Sequence, residues 1–159
     1  MDKPPAAEIR IVSGGQTGVD RAGLDTAIAL GLDHGGWCPR GRLAEDGTIA
    51  ALYQLRETDS PLYAARTEQN VIDSDATLIL YLEPLRGGTE LTRRLARQHG
   101  RPCLLVDLER PPPAETVRQW IRGAGVGTLN IAGPRESQHA GIYRLARAYL
   151  EQVFSGMGS

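Results

Sequence analysis

The chain has 159 residues, enough for one domain with its own core, and 41% hydrophobic with 23% charged residues is the ordinary soluble pattern. A formal net charge of −1 disfavours non-specific binding to nucleic acid, and no apolar run approaches the ~20 residues that span a bilayer. Of the 18 Lys and Arg residues only Lys3 is lysine, which excludes a GxxxxGKS/T phosphate loop and a Schiff base on an internal lysine.

Residues 1–7 are polar and Pro-rich and predict a disordered lead-in to a single domain over 1–159. With no signal peptide in the sequence, the expected location is the cytoplasm. Glu8 to Ser13 ("EIRIVS") alternates apolar with charged residues and reads as a strand entering a core. Thr17 to Leu30 carries helical spacing, with Thr17 and Asp20 as a TxxD start signal and Gly31 as the stop. The stretch from Gly35 to Ser60 is Gly-rich and irregular, with one short strand near Trp37. Pro61 to Asp73 is helix-like. Ala76 to Leu82 ("ATLILYL") and "PCLLVDL" are near-continuous apolar runs, which predict two central strands buried on both faces. Helices over Thr89–His99 and Ala114–Arg122, a strand in "TLNIAG", and a final helix from Gln138 to Phe154 complete the pattern. Ile142, Leu145, Ala146, Tyr149, Leu150 and Val153 trace its apolar face. Alternating strands and helices predict an α/β, Rossmann-like three-layer fold with a mostly parallel sheet of about five strands.

Strand–glycine–turn occurs three times: Ser13-Gly14-Gly15-Gln16-Thr17, Arg86-Gly87-Gly88-Thr89, and Gly133-Pro134-Arg135-Glu136-Ser137. In a parallel sheet all three fall on the carboxyl edge. There, helix N–H groups, the hydroxyls of Thr17, Thr89 and Ser137, and the guanidinium groups of Arg86 and Arg135 suit an anion such as phosphate. The spacing is not GxGxxG, so a dinucleotide site is not the first reading. "GWCPRGRLAEDG" predicts either a solvated loop or a flap over that edge. As a flap it would add Arg40, Arg42, Glu45 and Asp46 to the site. Tyr63, Arg66, Thr67 and Asn70 share one face of the following helix and can line the same pocket. Cys38, Cys103 and the three histidines show no metal-ligand spacing. No protein-ligated metal and no disulfide scaffold is predicted; Cys38 reads as a small structural thiol, and His139 lies near the third turn.

Six ordered motifs, "SGGQTGVDRAGLD", "GWCPRGRLAEDG", "ETDSPLYAARTEQNV", "SDATLIL", "GGTELT" and "NIAGPRES…GIY", resemble the circularly permuted YpsA-type family of the SLOG superfamily. The resemblance covers about Ile9 to Leu150. The family is often labelled as molybdenum carriers. The resemblance implies a Rossmann-like fold, a ligand of nucleotide or phosphorylated type, and a homo-oligomer. The superfamily also holds phosphoribohydrolases with a PGGxGTxxE motif whose glutamate serves catalysis. Here that position falls on Thr92 or Arg94, and Glu90 is the nearest acid.

Two functions follow as expectations. The first is a binding protein for a phosphorylated nucleotide-like or pterin-like ligand, a carrier of molybdenum cofactor among them. The second is a nucleotide hydrolase using a carboxylate in the same pocket, drawn from Asp20, Glu45, Asp46, Glu90 and Glu136, with Asp20 and Glu90 foremost. Neither involves nucleic acid or membrane as partner.

Overall fold

The structure is a computed structural model that describes residues 9–157 except residue 83; the expected lead-in lies outside the described residues. The five strands of the main sheet are all parallel, in the order β2-β1-β9-β7-β8. They are β1 (Arg10–Val12), β2 (Asp33–Gly35), β7 (Ala76–Tyr81), β8 (Cys103–Asp107) and β9 (Thr128–Ala132). Between β2 and β7 lie β3 (Trp37–Cys38), β4 (Leu43–Ala44), β5 (Gly47–Thr48) and β6 (Arg56–Glu57), outside the main sheet. The helices are α1 (Val19–Leu30), α2 (Tyr63–Ile72), α3 (Gly87–Gln98), α4 (Ala114–Gly123) and α5 (Ile142–Ser155).

Strand alternation sorts the layers. Leu78 and Leu80 of β7, Leu129 and Ile131 of β9 and Ile11 of β1 pack into one large core with α1, α4 and α5. The opposite face carries α2 and α3, where Val71, Leu95 and Ala96 pack with Cys103 of β8. Helices on both faces of a parallel sheet give the three-layer, Rossmann-like arrangement expected from the sequence.

Four expectations need correction. "PCLLVDL" is not central: β8 is an edge strand and Leu105 is 40% exposed. Helices covering the two faces make a strand apolar whether or not it has a neighbour on each side, so the apolar run carried no information about edges. The fifth strand of the main sheet is Asp33–Gly35, whereas the strand at Trp37 pairs with β6 in a separate two-stranded ribbon. The TxxD signal does not cap α1, whose first residue follows Gly18 with no side-chain cap. The final helix starts at Ile142 rather than near Gln138, and Leu145 lies off its buried stripe at 47% exposure.

Residues 36–60 form a flap with a small core of its own. Cys38, Ala44, Ile49 and Tyr53 pack with Leu55 against Leu24 of α1. Arg42, at φ 55, is the flap's internal staple. Its guanidinium donates to the backbone carbonyls of Ile49, Ala50, Tyr53 and Leu55 at 2.7–3.4 Å. Tyr53 also donates to Asp25 of α1, which accepts from Tyr143 of α5 through its other oxygen, both at 2.6 Å.

Candidate functional site

The three glycine turns meet as the sequence requires. Residues from all of them line one cleft of about 290 Å³ at the carboxyl edge, with α2 as its roof. The order β1-β9-β7 puts the third turn in the middle and the other two on either side. Of the sequence-predicted ligand residues, Gly14, Gln16, Gly88, Thr89, Gly133 and Arg135 line the cleft, as does Asp20.

The protein itself approaches the first glycine pair. A Cβ on Gly14 would run into the Arg66 guanidinium. At Gly15, φ is +78 and a Cβ would stand 2.7 Å from Leu55 of the flap. Three amides of this turn are spent internally. Gly15 donates to Ser13 Oγ at 3.3 Å, Gln16 to Asp20 Oδ2 at 3.4 Å, and Thr17 to Gln16 Oε1 at 3.0 Å. Ser13 in turn donates its hydroxyl to the Asp20 carbonyl at 2.9 Å. Ser13, Gly15 and Thr17 therefore build the turn rather than line the cleft.

The second turn is open. Nothing lies within 4 Å of a Cβ built on Gly87 or Gly88. Their N–H groups at the start of α3 have no acceptor among the described residues. Gly88 and buried Thr89 line the cleft, whereas Gly87 and the exposed Arg86 lie outside the lining. Glu90 also lies outside the lining. Its carboxylate pairs with Arg93 at 2.7 Å and Arg94 at 3.9 Å on the flank of α3, and the Arg93 hydrogen bonds hold it below the usual glutamate range. The i+3 and i+4 arginines claim this acid along its own helix, so it does not face the cleft as a catalytic group would.

At the third turn the flap supplies the occupant. The Glu45 carboxylate accepts from Thr17 Oγ1, from Ser137 N–H at 3.1 Å and from Ser137 Oγ at 2.5 Å, with Arg135 Nε at 3.4 Å. Burial pushes this carboxyl up, but the hydrogen bonds from Ser137 and Thr17 outweigh it and hold it below its ordinary value. Beside it, Asp46 takes both terminal nitrogens of Arg21 at 3.0 and 3.2 Å. Glu136 is the cap of α5, accepting from Gly141 at 2.5 Å and Tyr143 at 3.0 Å. Thr17, Glu136 and Ser137 are thus engaged with the protein itself. Arg40 is exposed away from the cleft, and Arg42 is committed to the flap backbone.

Among the described residues Asp20 is the carboxylate that lines the cleft. It pairs with Arg66 Nη1 at 3.1 Å, and both side chains are nearly buried. Burial raises its carboxyl above the usual aspartate range, and Arg66 offsets this only in part. Arg66 also lies over the Tyr63 ring, 5.3 Å from its centroid. The helix face Tyr63, Arg66, Thr67 and Asn70 does line the cleft. So does Asn130, which the sequence reading passed over; a polar residue in the middle of an apolar strand was its signal. Asn130 is 3% exposed and donates to Thr77 Oγ1 at 3.2 Å.

Two buried donors in the lining have no partner among the described residues: Gln16 Nε2 and Arg66 Nε. Leaving such a group unpaired costs about 1–3 kcal/mol, so each marks a place for an acceptor. Among the described residues no group of three or more His, Cys, Asp or Glu side chains is placed to hold a metal ion. Cys38 is a buried flap-core residue whose thiol is pushed up by burial, and His139 does not line the cleft. A smaller cleft of about 220 Å³, with Arg10, Trp37, Arg56 and Asp73 among its lining, lies across Asn70 from the first. The Asn70 amide accepts from Trp37 N–H at 2.8 Å and donates to Trp37 C=O at 2.9 Å. No described helix is long and apolar enough to cross a membrane.

The chain is similar to the "Putative molybdenum carrier protein" from Syntrophus aciditrophicus SB, known from a crystal structure. The two are 45% identical, with a TM-score of 0.90, over 97% of this chain and 99% of the other. No curated protein matches the chain significantly. The model of the circularly permutated YpsA SLOG family matches residues 11–154, which takes in every strand of the sheet from Ile11 onward, the flap and all three turns of the cleft. With the fold, the turns and this match in agreement, the chain belongs to the circularly permuted YpsA family of SLOG proteins.

Proposed function

We propose that the cleft binds a small phosphorylated ligand of nucleotide or pterin type and that the protein serves as its carrier, molybdenum cofactor being one such cargo. The observation that carries this reading is the open start of α3. The unspent N–H group of Gly88 and the positive end of the helix dipole stand at one side of a cleft, with Arg135 of the neighbouring turn in its lining. The structural neighbour's name supports the cargo. The donors suit the anionic and organic parts of such a ligand, so a molybdenum atom would travel on its cofactor rather than on protein ligands. Holding a ground state does not lower a barrier, which favours binding without turnover.

The test is equilibrium dialysis of purified protein with GMP and with inorganic phosphate. Binding of both, with loss of both in Gly88→Val while the fold persists, is expected. No binding of either, or undiminished binding by Gly88→Val, would refute the reading.

One observation favours the hydrolase alternative: Asp20 is buried, lines the cleft and has a raised carboxyl, the condition of a general acid. Release of guanine or phosphate from GMP, abolished by Asp20→Asn, would establish it over the carrier. We further infer a cytoplasmic homo-oligomer with two-fold symmetry; light scattering showing a monomer at working concentration would refute the assembly.

A further inference from the structure

Gln16 bears on how the ligand lies in the cleft. Its Oε1 accepts two backbone N–H groups, from Thr17 at 3.0 Å and from Glu45 of the flap at 2.8 Å. Two donors on one atom fix the amide the right way round, because the flipped amide would set NH₂ against both of them. Nε2 is thereby left as an unspent donor on a side chain that is 6% exposed and lines the cleft. The flap contributes to this setting through a second bond on the same residue, since the Glu45 carboxylate is tied to Ser137, Thr17 and Arg135.

The opposite donor, Gly88 at the start of α3, follows β7, whereas Gln16 follows β1, and β9 runs between them. Two inter-strand spacings separate the turns, roughly 10 Å. One phosphate group cannot serve both. The surroundings also differ in charge. The α3 start offers N–H groups with no counter-charge on them. At the Gln16 end the Arg66 guanidinium is already paired with Asp20, so that end suits an uncharged acceptor.

We propose that Gln16 is the specificity-determining donor of the cleft: it takes a neutral carbonyl oxygen on the ligand's ring while α3 takes the phosphate, and Glu45 is the positioning residue that holds the Gln16 amide in place. The site then selects oxo-bearing rings, as in guanine or a 4-oxopterin, over a ring that offers an amino group at the same place, as adenine does. This rests on the anion-binding reading above.

The experiment is calorimetric titration of the whole protein with GMP and AMP, in parallel for wild type, Gln16→Glu and Glu45→Ala. Gln16→Glu keeps an oxygen for both backbone N–H groups and replaces only the donor. The expected result is that wild type prefers GMP about tenfold. Gln16→Glu loses that preference or inverts it toward AMP. Glu45→Ala weakens GMP more than AMP and broadens the Gln16 side-chain amide signal in NMR spectra. Equal affinity for GMP and AMP in wild type, with both lost in Gly88→Val, overturns this inference and leaves anion binding standing. An equal loss of both nucleotides in Gln16→Glu overturns it too, since the donor would then serve the phosphate. No binding of either nucleotide or of inorganic phosphate overturns both readings together. If Gln16→Glu does not fold, the wild-type GMP to AMP ratio and the response to Glu45→Ala still decide.

Discussion

At the scale of single residues the two glycine pairs, so alike in sequence, separate cleanly. Gly15 sits at positive φ under Leu55, so Gly15→Ala meets both the ~1–2 kcal/mol cost of a left-handed Cβ and a clash with the flap. A thermal melt is expected to show a drop of several degrees. Gly88 has open space at its Cβ position and no such φ, so Gly88→Val is expected to melt within a few degrees of wild type while losing GMP binding. Equal melting losses in the two variants would mean that the α3 start is packed, not open. The sequence showed where backbone must be bare but not what bares it. At Gly14-Gly15 the close neighbours are Arg66 and Leu55, distant in the chain and unreadable from local spacing. Glu90 illustrates the converse: its arginine partners at i+3 and i+4 were visible in the sequence, and helix geometry alone turns it away from the cleft.

At the scale of elements, legibility follows periodicity. β1, β7, β9 and the bodies of α1 to α5 each repeat an apolar spacing long enough to read. The flap does not, because it is assembled from two-residue strands and held by Arg42, a single long side chain reaching four carbonyls. Arg42→Ala is expected to cost about 2–3 kcal/mol and to open residues 43–55 to limited proteolysis at a protease concentration that spares wild type. The flap also has an acid-sensitive tie. The Glu45 carboxyl is held below its ordinary 4.5 by its hydrogen bonds, so its contribution is present above that pH and is lost as the pH falls through the folded value. Proteolysis of the flap is expected to accelerate below about pH 4.5, and Glu45→Gln should flatten that dependence. An unchanged profile in Glu45→Gln would place the acid-sensitive group elsewhere.

At the scale of the whole molecule, Asp20 pulls the other way. Its carboxyl is raised above 3.8 chiefly by burial, so the folded state holds the proton more firmly than the unfolded one. Its share of stability is fully present below that value and is lost as the pH rises through the folded value. A protein that buries a carboxyl beside two unspent donors has a cleft poised for a ligand at the expense of its own stability. Because a ligand that binds the native state stabilises by RT ln(1 + [L]/Kd), GMP is expected to raise the melting temperature at pH 7, and to raise it by a different amount in Asp20→Asn if Asp20 takes part in binding. Parallel melts with and without GMP, in wild type and Asp20→Asn, check this. The Asn70 amide has a consequence for motion. By gripping both the N–H and the C=O of Trp37 it makes α2 and β3 one mechanical piece, with a cleft on each side. Any tilt of α2 onto a ligand drags an indole ring with it, so the molecule carries its own optical gauge. In Trp120→Phe, which leaves Trp37 as the sole tryptophan, occupancy of the first cleft would be read as a change in emission from the second.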